Sequence, residues 1–275
     1  MKEQNILIIG VGNMGCSLAH GLLDHGWEPS QISLCESYEP KHEQLCQWFP
    51  GTDVIGSADA CQNKPSAIIL AVKPHDLRDT CKQMRACGFD NHTLYISIAA
   101  GTPILSFKKW LGKDVQIIRC MPNTPASIGM GMTGLYAETS TSSEHKTLAN
   151  SILEAVGKTI WVETEQQLDA ITALSGSGPA YLFYLMECIQ LAGQELGLNK
   201  EDCYQMTLQT ILGSAQLAQK QQNSFDCLRK NVTSKGGTTE HAIKILEKHH
   251  FKEAVSEAIL AAFERAKSIS KSFED

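Results

Sequence analysis

Two glycine-rich stretches, far apart in the chain, have the makings of anion sites. Gly10, Gly12 and Gly15 follow the short β-rich run "NILIIG" and open a segment of helical spacing in which Met14, Leu18 and Leu22 share one side. In G-x-G-x-x-G between a strand and a helix, the first glycine permits a tight turn, the second admits a diphosphate to the backbone, and the third allows close helix packing. Amides at that helix start then face the anion. The second stretch is "VTSKGGTTEHAIKIL", beginning at Val232. Glycine loses more conformational freedom on ordering than any other residue, so Gly236 and Gly237 weaken the loop unless bare amides are needed there. Apolar helical spacing runs on through Ile243 and Leu246, so the loop feeds a helix N-terminus, where unpaired amides and the dipole favour negative charge. Ser234, Thr238 and Thr239 add hydroxyls, and Lys235 adds positive charge if it points inward. An ordinary N-cap needs one hydroxyl; three, with two glycines, favour an anion site. A carboxylate suits it, because no arginine fork is present.

Other residues cluster at predicted strand ends. Glu36 ends the second strand, where an acid accepts hydrogen bonds from an adenosine ribose and repels a 2′-phosphate; a solvated loop acid is the competing reading, and Ser37, Lys41 and His42 lie close by. The acid leans toward NADH. In "AVKPHD", with Ala71, Val72, Lys73 and Pro74, the proline stops a strand and leaves Lys73 at its carboxyl end, facing either a cofactor or solvent. "SIAAGT", which holds Ala99, offers small side chains that leave room for a flat ring. In "RCMPNTPA", Asn123 and Thr124 have side chains that can bond a ligand or the turn itself. "ALSGSGPAY", residues 173–181, is a second glycine-rich approach to a helix that could line the same cleft.

The elements that must position these residues change character along the chain. "NILIIG", "QISLCE", "SAIILAV", "TLYISIA" and "VQIIRC" are near-continuous apolar runs separated by polar or helical sequence, and "GLYA" and "KTIWV" follow. That pattern predicts a mostly parallel sheet covered on both faces, over residues 1–163. Residues 164–275 read as helical. "GPAYLFYLMECIQLAGQELGLN" is apolar on nearly every side and predicts burial all round, yet the neighbouring chain is too short to wrap it. An obligate homodimer built on the helical half would supply the missing surface; a monomer with this helix packed on the sheet is the alternative. "KEDCYQMTLQTILGSAQLAQK" and "FKEAVSEAILAAFERAKSI" are two further long helices.

Composition bounds the function. At 275 residues two domains are expected, and a net charge of −6 argues against a generic nucleic-acid surface while leaving room for a local anion site. The 10 cysteines contain no C-x-x-C pair, a poor zinc or disulfide pattern that points to reduced thiols in the cytoplasm. The histidines form no metal-binding pair, so no metal is expected. No signal peptide is expected, since the apolar run at residues 6–9 is short and meets glycines at once, and no run approaches the about 20 apolar residues that cross a bilayer.

Taken in order, "GVGNMG", "AVKP", "SIAAG", "RCMPNTPA", "LSGSGPAY" and "NVTSKGGTT" make the whole chain resemble the pyrroline-5-carboxylate reductase family. The resemblance implies an α/β Rossmann domain followed by an all-helical dimerisation domain, with dimers often assembled into larger rings. It implies hydride transfer from NADPH or NADH to C5 of 1-pyrroline-5-carboxylate, giving L-proline. On the family's pattern Ser234, Gly236, Gly237 and Thr238 hold the substrate carboxylate, and Thr239 sets its hydroxyl against the ring nitrogen. Gly10, Gly12, Asn13, Met14 and Gly15 carry the diphosphate, while Ala71, Val72, Lys73, Pro74, Ala99 and Asn123 border the nicotinamide end. Two departures stand out: Lys235 replaces the family's usual proline, and Glu36-Ser37 stands where many members carry an Asn-Arg pair suited to a 2′-phosphate. A β-hydroxyacid dehydrogenase shares the two-part plan, but its G-x-x-x-N-x-x-K lysine is missing here, since no lysine precedes Lys200 on the long helix. A non-enzymatic dinucleotide sensor would not need the second anion loop.

Overall fold

The computed structural model describes residues 4–89 and 92–273. Contacts divide the chain into two compact units, one formed by residues 1–177 with 262–275 and the other by residues 178–261.

The first unit is an eight-stranded sheet in the order β3-β2-β1-β4-β5-β6-β7-β8. Its strands are β1 (Ile6–Ile9), β2 (Ile32–Cys35), β3 (Asp53–Ile55), β4 (Ala67–Leu70), β5 (Leu94–Ser97), β6 (Gln116–Met121), β7 (Gly131–Ala137) and β8 (Gly157–Trp161). All pairings are parallel except β6 with β7. That pair is joined by a short connection with no crossover helix, which allows the antiparallel arrangement. The sequence pattern anticipated every strand but β3, whose three residues are too few to show a period.

Strand alternation explains why both faces are covered. Ile6 and Ile8 point into a core built with Leu18 and Leu22 of α1 (Asn13–Asp24) and Ile152 and Leu153 of α5 (Ser143–Glu154). Leu7 and Ile9 point the other way, against Leu77 and Cys81 of α3 (Leu77–Ala86) and Phe107 of α4 (Ile104–Leu111). The short α2 (His42–Trp48) adds Leu45 to the first core. The continuous apolar strands are thus fully buried, as a helix-covered parallel sheet requires.

Ahead of the glycines of "LSGSG", α6 (Gln167–Ile171) is followed by a wider π turn over residues 172–176, closed by Ser177 N–H donating to Thr172 O at 2.8 Å. A Cβ added at Gly176 would lie 2.6 Å from Met121 Cε, so the glycine lets this turn press on the end of β6.

The second unit contains α7 (Gly178–Glu195), α8 (Lys200–Gln221), α9 (Phe225–Asn231), α10 (Thr238–Lys248) and the start of α11 (Phe251–Lys271). Gly193 admits α8, since a Cβ there would meet Cys203 Sγ at 2.7 Å. The expectation that α7 is buried all round fails in the single chain: none of its residues is buried, and Phe183 and Tyr184 are 63% and 69% exposed. α9 was not foreseen, because seven residues show too little of a helical period.

Candidate active site

The first glycine turn has the backbone its sequence demands. Gly10 sits at φ +88°, where a Cβ would come within 2.8 Å of Val72 Cγ1. A Cβ on Gly15 would overlap the carbonyl oxygen of Gly10, while the space beside Gly12 is open. No side chain caps α1 at Gly12, and no acid lies in its first turn, so its leading amides are available to an anion. Asn13 is exposed at the helix start, and the half-buried side chain of Met14 packs on the first core.

A cavity of ≈ 830 Å³ opens beside this turn, lined by Gly10, Gly12, Glu36, Ala71, Val72 and Lys73 among others. Glu36 is not a freely solvated acid. Its side chain is 15% exposed, its Oε1 accepts the Tyr38 N–H at 3.1 Å, and Lys41 Nζ lies 3.6 Å from Oε2. Lys41 also donates to Val11 O inside the glycine turn, and a His42 Nε2 contact at 2.6 Å holds the Glu36 carbonyl. The sequence placed these residues near one another without saying that Lys41 neutralises the acid. Beneath them Cys35 is buried, which pushes its thiol up to about 11, with the Glu36 charge adding to the shift.

The residues expected at the nicotinamide end fall into two groups. Lys73 is exposed and lines the cavity just before Pro74, which starts a single helical turn at residues 74–76. Ala99, by contrast, is buried in the core with Ile104 and Phe107. Asn123 commits both ends of its amide, donating to Ser175 O at 3.0 Å and accepting from Met132 N–H at 2.9 Å. It joins β6, β7 and the π turn. Within "SIAAGT", Gly101 also packs closely: a Cβ there, at φ +80°, would meet Ile269 Cγ2 of α11 at 2.7 Å.

That end of α11 is stitched to the first unit by contacts the sequence does not announce. Ser270 Oγ donates to the buried Asp169 at 2.9 Å, and Ser106 Oγ donates to Phe273 O at 2.7 Å. Nearby, the Arg119 guanidinium donates to Glu165 Oε1 at 2.7 Å, and the same oxygen accepts the Ile104 N–H at the start of α4. A buried ion pair with a satisfied carboxylate holds its elements in register more than it adds stability.

In the second unit, Gly237 N–H donates to Ser234 O at 3.0 Å, and Gly236 turns at φ +75°. The turn therefore forms with Lys235 in the proline position, and Lys235 itself is exposed. Gly237 precedes α10 with no side-chain cap, and the first backbone bond into the helix runs from His241 N–H to Gly237 O at 3.3 Å. Thr238 and Thr239 occupy the first turn, Thr239 half-buried. Sequence reasoning missed Glu240, whose Oε2 accepts the Gly236 N–H at 2.8 Å while Lys244 holds Oε1 at 3.4 Å. Those two partners, the Gly236 amide first, lower its pKa. The acid stiffens a loop that lacks proline, and it also takes one of the amides expected to meet an anion. An acid three residues past the second glycine was the available signal.

Two family models match the chain. Residues 165–269 match the family described as pyrroline-5-carboxylate reductase dimerisation, and residues 5–101 match NADP oxidoreductase coenzyme F420-dependent. The pyrroline-5-carboxylate reductase of Pseudomonas aeruginosa is 38% identical over 98% of this chain and 98% of its own. A solved pyrroline-5-carboxylate reductase from Coxiella burnetii superposes with a TM-score of 0.92 at 40% identity, covering 98% of this chain and 99% of that one. A Plasmodium falciparum pyrroline carboxylate reductase with NADP bound gives 0.86 at 28% identity, covering 98% and 99%. With full-length identity at this level, the chain belongs to the pyrroline-5-carboxylate reductase family.

Proposed function

We propose that the protein is an NAD(P)H-dependent reductase that converts 1-pyrroline-5-carboxylate to L-proline, the last step of proline biosynthesis, in the cytoplasm. The observation that carries this reading is the pair of uncapped, glycine-led helix starts, at Gly12 for α1 and Gly237 for α10, in a chain with end-to-end reductase relatives. Residues 1–163 serve the dinucleotide, and residues 164–275 serve the substrate and the homodimer. The dimers are also open to assembly into a larger ring.

When bound, NADH or NADPH supplies a hydride to C5 of the pyrroline ring. Gly10, Gly12, Asn13 and Gly15 present backbone to its diphosphate, and Ala71, Val72, Lys73 and Pro74 border its nicotinamide end. Ala99 and Asn123 act from behind, fixing the strand ends that carry that border. Ser234, Gly237 and Thr238 grip the substrate carboxylate, with Gly236 shaping the turn. Thr239 orients its hydroxyl to the ring nitrogen, where a proton is retained as the C=N bond becomes C–N. A protonated imine is already electrophilic, so no strong base is needed, and positioning supplies most of the barrier reduction. The Lys41–Glu36 pair makes the ribose end tolerant of either cofactor: the acid can accept ribose hydroxyls, and the lysine offsets its repulsion of a 2′-phosphate.

Oxidation of NADH and NADPH is followed at fixed enzyme with and without 1-pyrroline-5-carboxylate, beside NAD(P)+ reduction by proline or thiaproline at high pH. Imine-dependent oxidation with proline as product is expected. Cofactor binding with no imine-dependent turnover would favour a sensor and remove the proposed activity.

A further inference from the structure

We propose that the groove between α3, α4 and Ser272–Phe273, which follow α11, is a binding site for a small polyphosphate, distinct from the dinucleotide cavity. The groove has a volume of ≈ 540 Å³ and is lined by Arg78, Lys82 and Arg85 of α3 and Lys109 and Trp110 of α4, and among the described residues no aspartate or glutamate lines it. This concentration of positive charge sits on a chain whose net charge is −6. A local field of that sign attracts and orients a multiply charged anion even where the whole protein is acidic.

The arrangement is set by the fold. Leu77, Cys81 and Met84 are the buried stripe of α3, and that stripe fixes the rotation of the helix against the sheet. Arg78, Lys82 and Arg85 each follow the buried stripe by one position, so they form a parallel basic stripe at its margin. Like charges at i,i+4 and i,i+3 destabilise a helix. Lys82 has an exposed partner in Asp79 at 3.5 Å, whereas Arg78 and Arg85 have no ion pair among the described residues. Guanidinium forks match phosphate oxygens in pairs.

The opposite wall is rigid. Trp110 packs edge-on against Phe107, with ring centroids 5.7 Å apart and planes at 73°, so the indole is held in place from behind. Ser106 pins Phe273 O at the rim. His75 lines both this groove and the dinucleotide cavity, within the same short turn as Lys73 and Pro74. An anion here therefore abuts the segment that borders the cofactor. The inference does not rest on the proposed reductase activity.

The test is calorimetric titration of the full-length protein with sodium tripolyphosphate and, separately, with ATP, both at saturating NADPH so that the dinucleotide cavity is filled. One site per chain is expected, and Arg78→Glu with Arg85→Glu should weaken it at least tenfold while leaving basal NADPH oxidation unchanged. The milder Arg78→Gln with Arg85→Gln keeps the test meaningful if charge reversal disturbs folding. Lys64→Glu, outside this groove, should bind as wild type. Tighter binding of ATP than of tripolyphosphate, lost in Trp110→Ala, assigns a nucleotide; equal binding assigns an inorganic oligophosphate. No heat with either probe, heat unchanged in both double variants, binding only of heparin or single-stranded DNA, or binding only in a chain lacking residues 274–275 would each overturn the site.

Discussion

The two compact units solve the burial problem in opposite ways. In the first, β1, β2, β4 and β5 are buried at every position, and helices seal both faces of the sheet. In the second, Cys203 and Thr207 are the buried residues among those described, while α7, α9 and α10 bury none. Both halves are rich in apolar side chains, so composition does not distinguish them. What differs is the source of partner surface: a parallel sheet recruits its own crossover helices, whereas α7 leaves Leu182, Phe183, Leu185 and Ile189 exposed. Exposed apolar area of this kind marks an association surface. The family match over residues 165–269 gives it a function as a dimerisation domain.

The largest effects should come from breaking that contrast. Phe183→Glu places a charge on the uncovered face of α7 and should abolish the dimer, with loss of the folded helical half, read by sedimentation and far-ultraviolet circular dichroism. A native-like monomer would show that the second unit does not depend on a partner. Ile69→Ala, in the closed core of the first unit, should cost about 2–5 kcal/mol by the cavity it leaves, lowering the melting temperature with no change of mass. If it instead dissociated the protein, the two units would not be separate problems.

Next in size is the substrate loop. Thr239→Ala should reduce kcat about 100-fold, within the range for a lost proton-handling group, with KM for NADPH little changed; unaltered kinetics would remove its role. Smaller again is the cofactor preference. Glu36→Ala should raise, and Lys41→Ala lower, the NADPH-to-NADH ratio of kcat/KM by about tenfold each, the scale of one charge-assisted contact. Additive behaviour in the double variant would show that the 3.6 Å pair does not act as a unit.

The smallest effect is a pH dependence confined to the sheet unit. Burial pushes the Cys81 thiol and the Tyr95 hydroxyl up to about 12, and the Cys35 thiol up to about 11. These groups hold their protons in the folded state after the unfolded chain has lost them, so stability is intact below the unfolded values and falls as pH rises through them. Between pH 7.5 and about pH 9 the two thiols together should cost about 1 kcal/mol. Urea titrations at both values would show it; higher stability at the upper pH would contradict the sign.

Much of this was legible in the sequence, because the signals are local. A strand needs four or five residues of pattern, and G-x-G-x-x-G carries its own strand and helix with it. The turn at residues 234–237 was readable for the same reason. What escaped depends on distance. Asp169 and Ser270 are separated by 101 positions, and nothing near either forecasts the other. Gly101 makes room for Ile269, 168 positions away, and only the fold shows it. Asn123 offered two hydrogen bonds, and only the fold shows that Ser175 and Met132 take them. Lys41 and Glu36 were seen as neighbours, but their pairing across the glycine turn is a property of the folded loop.

The most direct measurement follows an isotope from one half of the reaction to the other. NADPH carrying deuterium at both C4 positions of the nicotinamide is incubated with the enzyme and 1-pyrroline-5-carboxylate, and the product is analysed by mass spectrometry. L-Proline with one deuterium at C5 is expected, at a rate that falls in Thr239→Ala. Proline without label, or cofactor oxidation with no proline formed, would contradict the proposed reduction.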